Sequence, residues 1–585
     1  MELIYRYIKL YLRRIAGSMT VKLLGTVAEL MVPYFLEHII DSVAPAGRVV
    51  DVFWWGLVMV VVAFFARLFN VGANRLAIGV SRDATRDIRH ELFKKTSNLS
   101  GSRFDAFGLP SLTSRMTSDT YNIQSFMQSV QTQGIRGPFM LIGGVVVTMT
   151  MDRALSAILC VMIPILAVVV ICVSKQGIPL YDKVQRSLDR IVRVMRENIT
   201  GIRVVKALSK TDYERRRFGG ANEEMVQRDV TAGVVMALPA PLMQLFLNVG
   251  LALVVLVGAW RVDGGLAKPG VILAFLTYFN MILQGVMTLN KVFMQLTKAS
   301  ASADRIEVVL KDAQDMPVLP WDGPAAPGDV AVEFDHVSFN YKYGGEPQSD
   351  DVAAPPGTCE RVIDDICFTL HRGESLGIIG GTGSGKTTIV NLMMRFYDTD
   401  EGTVLVDGRD VRTYEKDELR RKFGVVFQND LIFEDTLYEN ITFGRSVPPE
   451  AMDMAARSAC ASEFIEGMEG GYAYGADIKG ANLSGGQKQR ILIARALAAN
   501  PEILVFDDSS SALDYKTDAA FRTALRENYA GSTLVMVAQR VSSIMHMTHI
   551  LMLEDGKVLG YGTHDELMAG CGAYREIYEV QLGEM

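Results

Sequence analysis

The chain has 585 residues, 49% of them hydrophobic and only 21% charged, and its mean hydropathy is positive at +0.18. That length accommodates two or more domains, and a net charge of −7 argues against a nucleic-acid partner, which requires a basic footprint. The six cysteines (Cys160, Cys172, Cys359, Cys367, Cys460 and Cys571) have no paired metal-ligand spacing and read as reduced packing residues.

Almost every long apolar run lies before about Lys298, and the remainder alternates as a soluble α/β domain does. Met1–Arg14 carries Arg6, Lys9, Arg13 and Arg14, with Ile4, Tyr7, Ile8, Tyr11 and Leu12 recurring at helical spacing. This predicts an interfacial helix on the cytoplasmic face leading into the first span, and no cleavable signal peptide is expected. A spanning helix needs roughly 20 mostly apolar residues, and six segments qualify, at about 17–41, 52–76, 134–151, 154–174, 233–261 and 269–296. The third and fourth are separated only by Asp152-Arg153, a tight turn.

Lys and Arg placement sets the predicted orientation. The loop after span two carries Arg82, Arg86, Arg89, Lys94, Lys95, Arg103 and Arg115. The loop after span four carries Lys183, Arg186, Arg190, Arg193, Arg196, Arg203, Lys206 and Arg215-Arg216-Arg217, whereas the opposite loops hold little beyond Arg48, Arg153, Arg261 and Lys268. Both termini and both long loops are therefore expected in the cytoplasm, with the spans continuing into it as helices. Ionisable residues inside spans are costly and mark functional candidates. Glu29 and Arg67 lie roughly 16 and 20 Å deep at 1.5 Å per residue, a depth that allows an ion pair. The alternative is that Glu29 faces a hydrated cavity and attracts cationic substrates, with Arg67, Asn70, Gln244, Asn248, Asn280, Gln284 and Asn290 along the same cavity. The 29 methionines favour an adaptable apolar surface.

Met316–Asp329, with Pro317, Pro320, Pro324 and Pro327, is a linker by composition. The domains are thus expected at 1–312 (transmembrane), 313–329 (linker) and 330–585 (nucleotide-binding). Strand Val330–Phe339 leads to Tyr341, and Gly344–Thr358, rich in Gly, Pro and acid, reads as a surface insertion without chemistry. Strand Ser375–Ile379 feeds Gly380-Gly381-Thr382-Gly383-Ser384-Gly385-Lys386-Thr387, followed by Thr388. This is a phosphate-binding P-loop, whose backbone N–H groups approach phosphate oxygens at the positive end of a helix starting near Lys386. Lys386 is placed on the β/γ phosphates of ATP and Thr387 on Mg²⁺. Downstream, the apolar strand Ile503-Leu504-Val505-Phe506 ends in Asp507-Asp508, where a magnesium-ATP hydrolase needs its acids.

Between these motifs lies Leu483-Ser484-Gly485-Gly486-Gln487, which resembles the signature of ATP-binding-cassette (ABC) proteins. Six spans, two long basic loops and a C-terminal ATP domain resemble the type IV ABC exporter half-transporter over nearly the whole chain. The implied fold is a membrane all-α domain of six transmembrane helices followed by an α/β P-loop ABC ATPase domain. Phe104–Asp119 and Glu197–Phe218 look like the two coupling-helix regions. The resemblance further implies that Tyr341 stacks on adenine, that Gln428 is the Q-loop residue meeting metal and attacking water, and that Asp507 serves the metal's water shell. It implies that Ser484, Gly485 and Gln487 grip the γ-phosphate of ATP on the opposite subunit, and that Ser511-Ala512-Leu513-Asp514 is the D-loop crossing that interface.

Two positions depart from the family pattern, which has Glu at 508 and His at 539; this chain has Asp508 and Gln539. A water-positioning residue must lie within about 2.6–3.2 Å of its target, and the shorter Asp508 falls short by over an ångström, a misplacement that costs roughly 100-fold. Gln539 cannot become cationic as His can. The expectation is a chain that binds ATP but hydrolyses it poorly at its own site, resembling the degenerate-site half of a heterodimeric multidrug exporter. A slow homodimer and an ATP-gated regulator or channel are the rival readings. The implied partners are a second half-transporter, membrane lipids and hydrophobic small molecules, in the cytoplasmic (inner or plasma) membrane.

Overall fold

The computed structural model describes residues 2–312, 316–321, 323, 328–341, 361–509 and 513–582. Part of the expected linker, the insertion at 344–358, Cys359 and Ser511-Ala512 of the expected D-loop lie outside the described residues. The chain divides into two compact units, one formed by residues 1–97 and 112–312 and the other by 98–111 and 313–585.

The first unit is built from long helices. Along the chain run α1 (Glu2–Leu10), α2 (Leu12–His38), α3 (Val49–Ser97), α4 (Gly101–Phe107), α5 (Leu109–Ser114), α6 (Thr120–Met151), α7 (Arg153–Thr200), α8 (Ile202–Ala207), α9 (Thr211–Ala237), α10 (Pro239–Asp263) and α11 (Pro269–Leu310), of which α4 and the start of α5 fall in the second unit. The 49 residues of α3 reach about 74 Å at 1.5 Å per residue, well over a bilayer core of about 30 Å. Five helical segments are long and apolar enough to cross a membrane, and α7 contributes a shorter apolar stretch, Arg153–Leu166, among the described residues. Many apolar side chains in this unit point outward, among them Phe53, Trp54, Val60 and Phe64 of α3, as a lipid-facing helix requires.

Small residues and buried acids join the helices. A Cβ at Gly285 of α11 would sit 2.9 Å from the Gly137 carbonyl of α6, so the two backbones touch as small-residue membrane interfaces do. The Asp41 carboxylate accepts from the amides of Gly270 (2.6 Å) and Val271 (3.1 Å) and so caps α11. Asp152 accepts from the Ala154 amide at 2.8 Å, capping α7, and pairs with Arg261 at 2.9 Å, which fixes the predicted tight turn. The predicted fifth span, 233–261, falls within one helical run, Thr211–Asp263, jointed where α9 ends at Ala237 and α10 starts at Pro239, a residue that supplies no amide to the preceding turn. In α1, Leu3, Ile4 and Tyr7 are buried against protein, while Tyr5 and Leu10 stay exposed.

The second unit is α/β. An antiparallel sheet runs β2-β1-β4-β5, formed by β1 (Val330–Phe339), β2 (Ile363–His371), β4 (Glu401–Val406) and β5 (Arg409–Asp410). The larger sheet has the order β10-β9-β3-β8-β7-β6, from β3 (Ser375–Gly380), β6 (Phe423–Val426), β7 (Ile503–Asp507), β8 (Thr533–Val537), β9 (His549–Glu554) and β10 (Lys557–Gly562). All its pairings are parallel except β9 with β10. Pleating divides each central strand between two cores: Leu504, Phe506 and Met536 enter one, Val505, Val535 and Ile378 the other. Strands buried on both faces bring the ends of β3 and β7 to one edge of the sheet, where the acids and the P-loop meet.

Candidate functional site

The P-loop leaves β3 and enters a helix, α12 (Lys386–Met393), whose N-cap is Gly385. Gly385 has φ +94°, and a Cβ there would lie 2.4 Å from Ile363, so both the left-handed backbone and the close packing require glycine. The Lys386 ammonium donates to the carbonyls of Gly380 (2.9 Å) and Gly381 (2.6 Å), arching over the loop. Burial lowers its pKa, opposed by the charges of Asp507 and Asp508.

The Thr387 hydroxyl donates to Asp507 Oδ2 at 2.8 Å. Burial pushes the Asp507 carboxyl above the usual carboxylate range, against the opposing hydrogen bond from Thr387. A hydroxyl and a carboxylate side by side are hard oxygen donors of the kind Mg²⁺ takes. Asp508 has φ +50°, and burial also raises its pKa, opposed by hydrogen bonds from Gln539 and Gln428. Gln539 Nε2 donates to Asp508 Oδ2 at 2.8 Å. The two residues that depart from the family pattern therefore bind one another. Gln581, near the C-terminus, holds this loop by donating to the Gln539 carbonyl (3.0 Å) and accepting from the Val541 amide (2.8 Å), a long-range contact with no local sequence signal.

Tyr341 packs edge-on against Phe339 and Tyr397, and its hydroxyl lies 3.2 Å from Thr388 Oγ1. Its ring thus sits beside α12. Phe427, preceding Gln428, lies 6.0 Å from Phe396. The Phe396 carbonyl accepts from the Gly101 amide at 3.1 Å, and the Tyr397 hydroxyl donates to Asp105 at 2.6 Å. Segment 98–111, with α4, therefore belongs to the ATP-binding unit. The expected first coupling region, 104–119, is split between the two units.

Ser484 caps a 13-residue helix, Gly485–Leu497, through a capping box with Gln487. Ser484 accepts from the Gln487 amide at 3.3 Å, and the Ser484 amide donates to Gln487 Oε1 at 2.9 Å. Gln487 thus has a structural task in this chain. A Cβ at Gly485 would meet nothing within 4 Å, so nothing inside the chain demands glycine there. Leu483 is buried. Leu513 packs on the ATP-domain core, and Asp514 caps the helix Tyr515–Asn528 by accepting from the Thr517 amide at 2.9 Å.

In the helical unit the ion-pair expectation is corrected. Glu29 Oε1 accepts from Arg136 Nη2 at 2.8 Å, not from Arg67, which is exposed. Equal depth fixes the level of two residues but not the direction each faces around its helix, and α6 brings the cation. Asn248 accepts from Gln244 at 3.3 Å, Asn280 donates to the Leu276 carbonyl at 2.9 Å, and Asn248, Asn280 and Gln284 are exposed. None of them, nor Arg67, lines the large cavity of this unit, a space of about 740 Å³ walled by residues including Lys22, Asn74, Gln128, Arg136 and Lys291. The rule that singled out Glu29 finds three of these directly: Lys22, Arg136 and Lys291 all fall inside predicted spans.

A helical membrane portion and an ATP-binding cassette are the two parts of an ABC transporter. Residues 15–287 match the family described as ABC transporter transmembrane region, and residues 363–511 match the family described as ABC transporter. An uncharacterized ABC transporter ATP-binding protein of Mycobacterium tuberculosis is 34% identical over 98% of this chain and 97% of its own length. The ATP-dependent lipid A-core flippase of Desulfotalea psychrophila is 32% identical over 86% of this chain and 85% of its own. A solved structure of a bacterial Atm1-family ABC exporter with ATP bound shares the fold, with a TM-score of 0.80 at 24% identity, covering 98% of this chain and 100% of that one. The chain belongs to the ABC transporter family, with its transmembrane region and its ATP-binding domain in one chain.

Proposed function

We propose that this chain is one half of a heterodimeric exporter of amphipathic compounds, whose own ATP site binds nucleotide but turns it over slowly while its signature completes the partner's site. The observation that carries this reading is the 2.8 Å hydrogen bond from Gln539 to Asp508. Asp508 is a methylene shorter than the Glu of the family pattern, and one of its oxygens is engaged by an amide that cannot take up a proton. Geometry of that kind holds a γ-phosphate in place and leaves the attacking water poorly oriented. By contrast, the Ser484 capping box keeps the signature amides aimed out of the helix end, as a trans-acting phosphate clamp needs.

In this reading the P-loop amides and Lys386 hold the phosphates, Tyr341 meets the adenine, and Thr387, Asp507 and Gln428 hold Mg²⁺, which when bound would neutralise charge on the phosphate oxygens. Leu513 and Asp514 belong to the segment that meets the partner. The path from Gln428 through Phe427 and Phe396 ends at Gly101, in the segment that follows α3 along the chain. Six spans are proposed, with both termini in the cytoplasm and domains at 1–312 and 330–585. The lipid named for the Desulfotalea relative and the apolar helices both fit an amphipathic cargo.

The test is affinity purification of the tagged full-length chain from its native membrane, followed by nucleotide trapping. A second ABC half-transporter should co-purify in equal amount, with ATP retained at this chain's site and ADP formed opposite. A homodimer forming ADP equally at both sites overturns the proposal.

A further inference from the structure

The cavity of about 740 Å³ in the helical unit is positively charged. Three cations line it from three helices: Lys22 on α2, Arg136 on α6 and Lys291 on α11. Only Arg136 has an acid partner, Glu29. Lys22 is 5% exposed, and its ammonium donates to the neutral Asn74 Oδ1 at 3.2 Å. Neither Lys22 nor Lys291 has a carboxylate within 4.0 Å among the described residues. The wall therefore carries two lysines outside any ion pair, Lys22 buried and Lys291 exposed, with Asn74, Gln128 and the apolar Met287 beside them.

A buried cation without a counter-ion is expensive inside a membrane protein, and such residues mark ligand or ion paths. Its cost falls when a mobile anion enters. We propose that this cavity receives an amphiphile with an acidic head group, carboxylate, sulfate or phosphate, clamped by Lys22 and Lys291 while Glu29 orients Arg136. This rests on the exporter reading and names its substrate class. It reverses the expectation of a cationic substrate drawn to Glu29, because the structure gives that acid to Arg136. The polar end would meet the lysines, and the apolar body would lie along Met287 and the adjoining helix faces.

The test uses the assembled full-length transporter in lipid nanodiscs. Two probe pairs separate the sources of the charge: fluorescent phosphatidylglycerol against fluorescent phosphatidylcholine with the same tails, and the soluble anilinonaphthalene sulfonate against the cation ethidium. Binding and ATP-dependent movement are both read. The anionic member of at least one pair should bind tighter; the pair that responds tells a membrane lipid from a free solute. Lys22→Gln and Lys291→Gln should each weaken anion binding about tenfold, the loss of a charge-assisted contact, and Lys→Arg at the same positions should restore it. Glu29→Gln, which frees Arg136, should leave anion binding equal or tighter. Tighter binding of ethidium that Glu29→Gln abolishes would overturn the proposal while keeping the exporter reading. Movement of no probe of either charge, with ATP hydrolysis intact, would instead refute the exporter reading itself.

Discussion

In the proposed heterodimer, Gly485→Asp and Asp508→Asn alter one chain but act on different ATP sites. A Cβ at Gly485 meets no atom within 4 Å, so a side chain can leave this backbone without a clash at its first carbon. It would occupy the first turn of a 13-residue helix, where an acid stabilises the fold by about 0.3–1 kcal/mol. Loss of folding is therefore not the expected effect. The new carboxylate instead opposes the γ-phosphate of the partner's ATP and removes a transition-state contact, worth about 10²–10³-fold in rate, or about 2.7–4 kcal/mol. Asp508→Asn keeps an acceptor for Gln539 and alters only the impaired site. A site slowed about 100-fold by misplacement supplies about 1% of total turnover, so its loss changes the whole by far less than twofold. The assay is steady-state ATPase activity of the purified complex at saturating Mg-ATP, with both variants matched for amount and thermal stability. If Asp508→Asn silences the complex as fully as Gly485→Asp, the reasoning is wrong and a slow symmetric ATPase is the better account.

Asp508→Glu together with Gln539→His should raise hydrolysis at this chain's own site measurably in trapping experiments, whereas Asp508→Glu alone should not restore full activity. Gly101→Ala, whose Cβ would lie 2.8 Å from the Tyr397 ring and 2.9 Å from the Phe396 carbonyl, should loosen α4 from the ATP domain. Losing a hydrogen bond of about 1 kcal/mol, it should cut substrate-stimulated ATPase several-fold, and unchanged stimulation would remove Gly101 from the coupling path. Burial raises the Asp507 pKa, and metal binding needs the ionised carboxylate. Mg²⁺-dependent ATP affinity should therefore fall on acidification through that raised pKa, sooner than an ordinary carboxylate would allow. The unliganded fold, which binds that proton more readily than the unfolded chain, gains stability from this group over the same descent. A Mg²⁺ affinity flat down to the usual carboxylate range would refute the assignment. Cysteines placed at Arg48 and Gly264 should react with an impermeant reagent from outside, and those at Arg103 and Arg216 should not; the reverse pattern would invert the proposed topology.

What could be read from the sequence was set by distance along the chain. The P-loop, the acids ending β7 and the signature lie within short segments whose local backbone is dictated by glycine, strand and cap, so their spacing alone places Thr387 beside a strand that delivers Asp507. The apolar spans are legible because a run of roughly 20 apolar residues has few alternatives. Contacts between distant segments were not. Glu29 and Arg136 stand 107 residues apart on different helices, and depth says nothing about which way each side chain faces. The docking of segment 98–111 on Phe396 and Tyr397, and the hold of Gln581 on the Gln539 loop, depend in the same way on tertiary packing. Gln487 and Asp514 carry capping duties that motif resemblance alone does not disclose, since the same side chain serves a helix end and a neighbouring subunit.

The Asp508–Gln539 hydrogen bond also bears on why two altered positions form one change. An isolated Asp at 508 would leave a short acid able to turn toward any donor nearby. An isolated Gln at 539 would leave an amide free to bond a γ-phosphate. Together, each satisfies the other at 2.8 Å, and the pair is held further by Gln581. In the proposed reading such a pair would resist the rearrangement that water activation requires, while the Thr387–Asp507 contact stays intact. In that reading, binding and turnover thus depend on separate pairs of side chains, Thr387 with Asp507 and Asp508 with Gln539. In a homodimer this separation would burden both sites equally, and the outward-facing signature would serve only impaired chemistry. In a heterodimer it leaves one site that keeps the subunits clasped by ATP and another, completed by Ser484 and Gly485, that supplies the turnover.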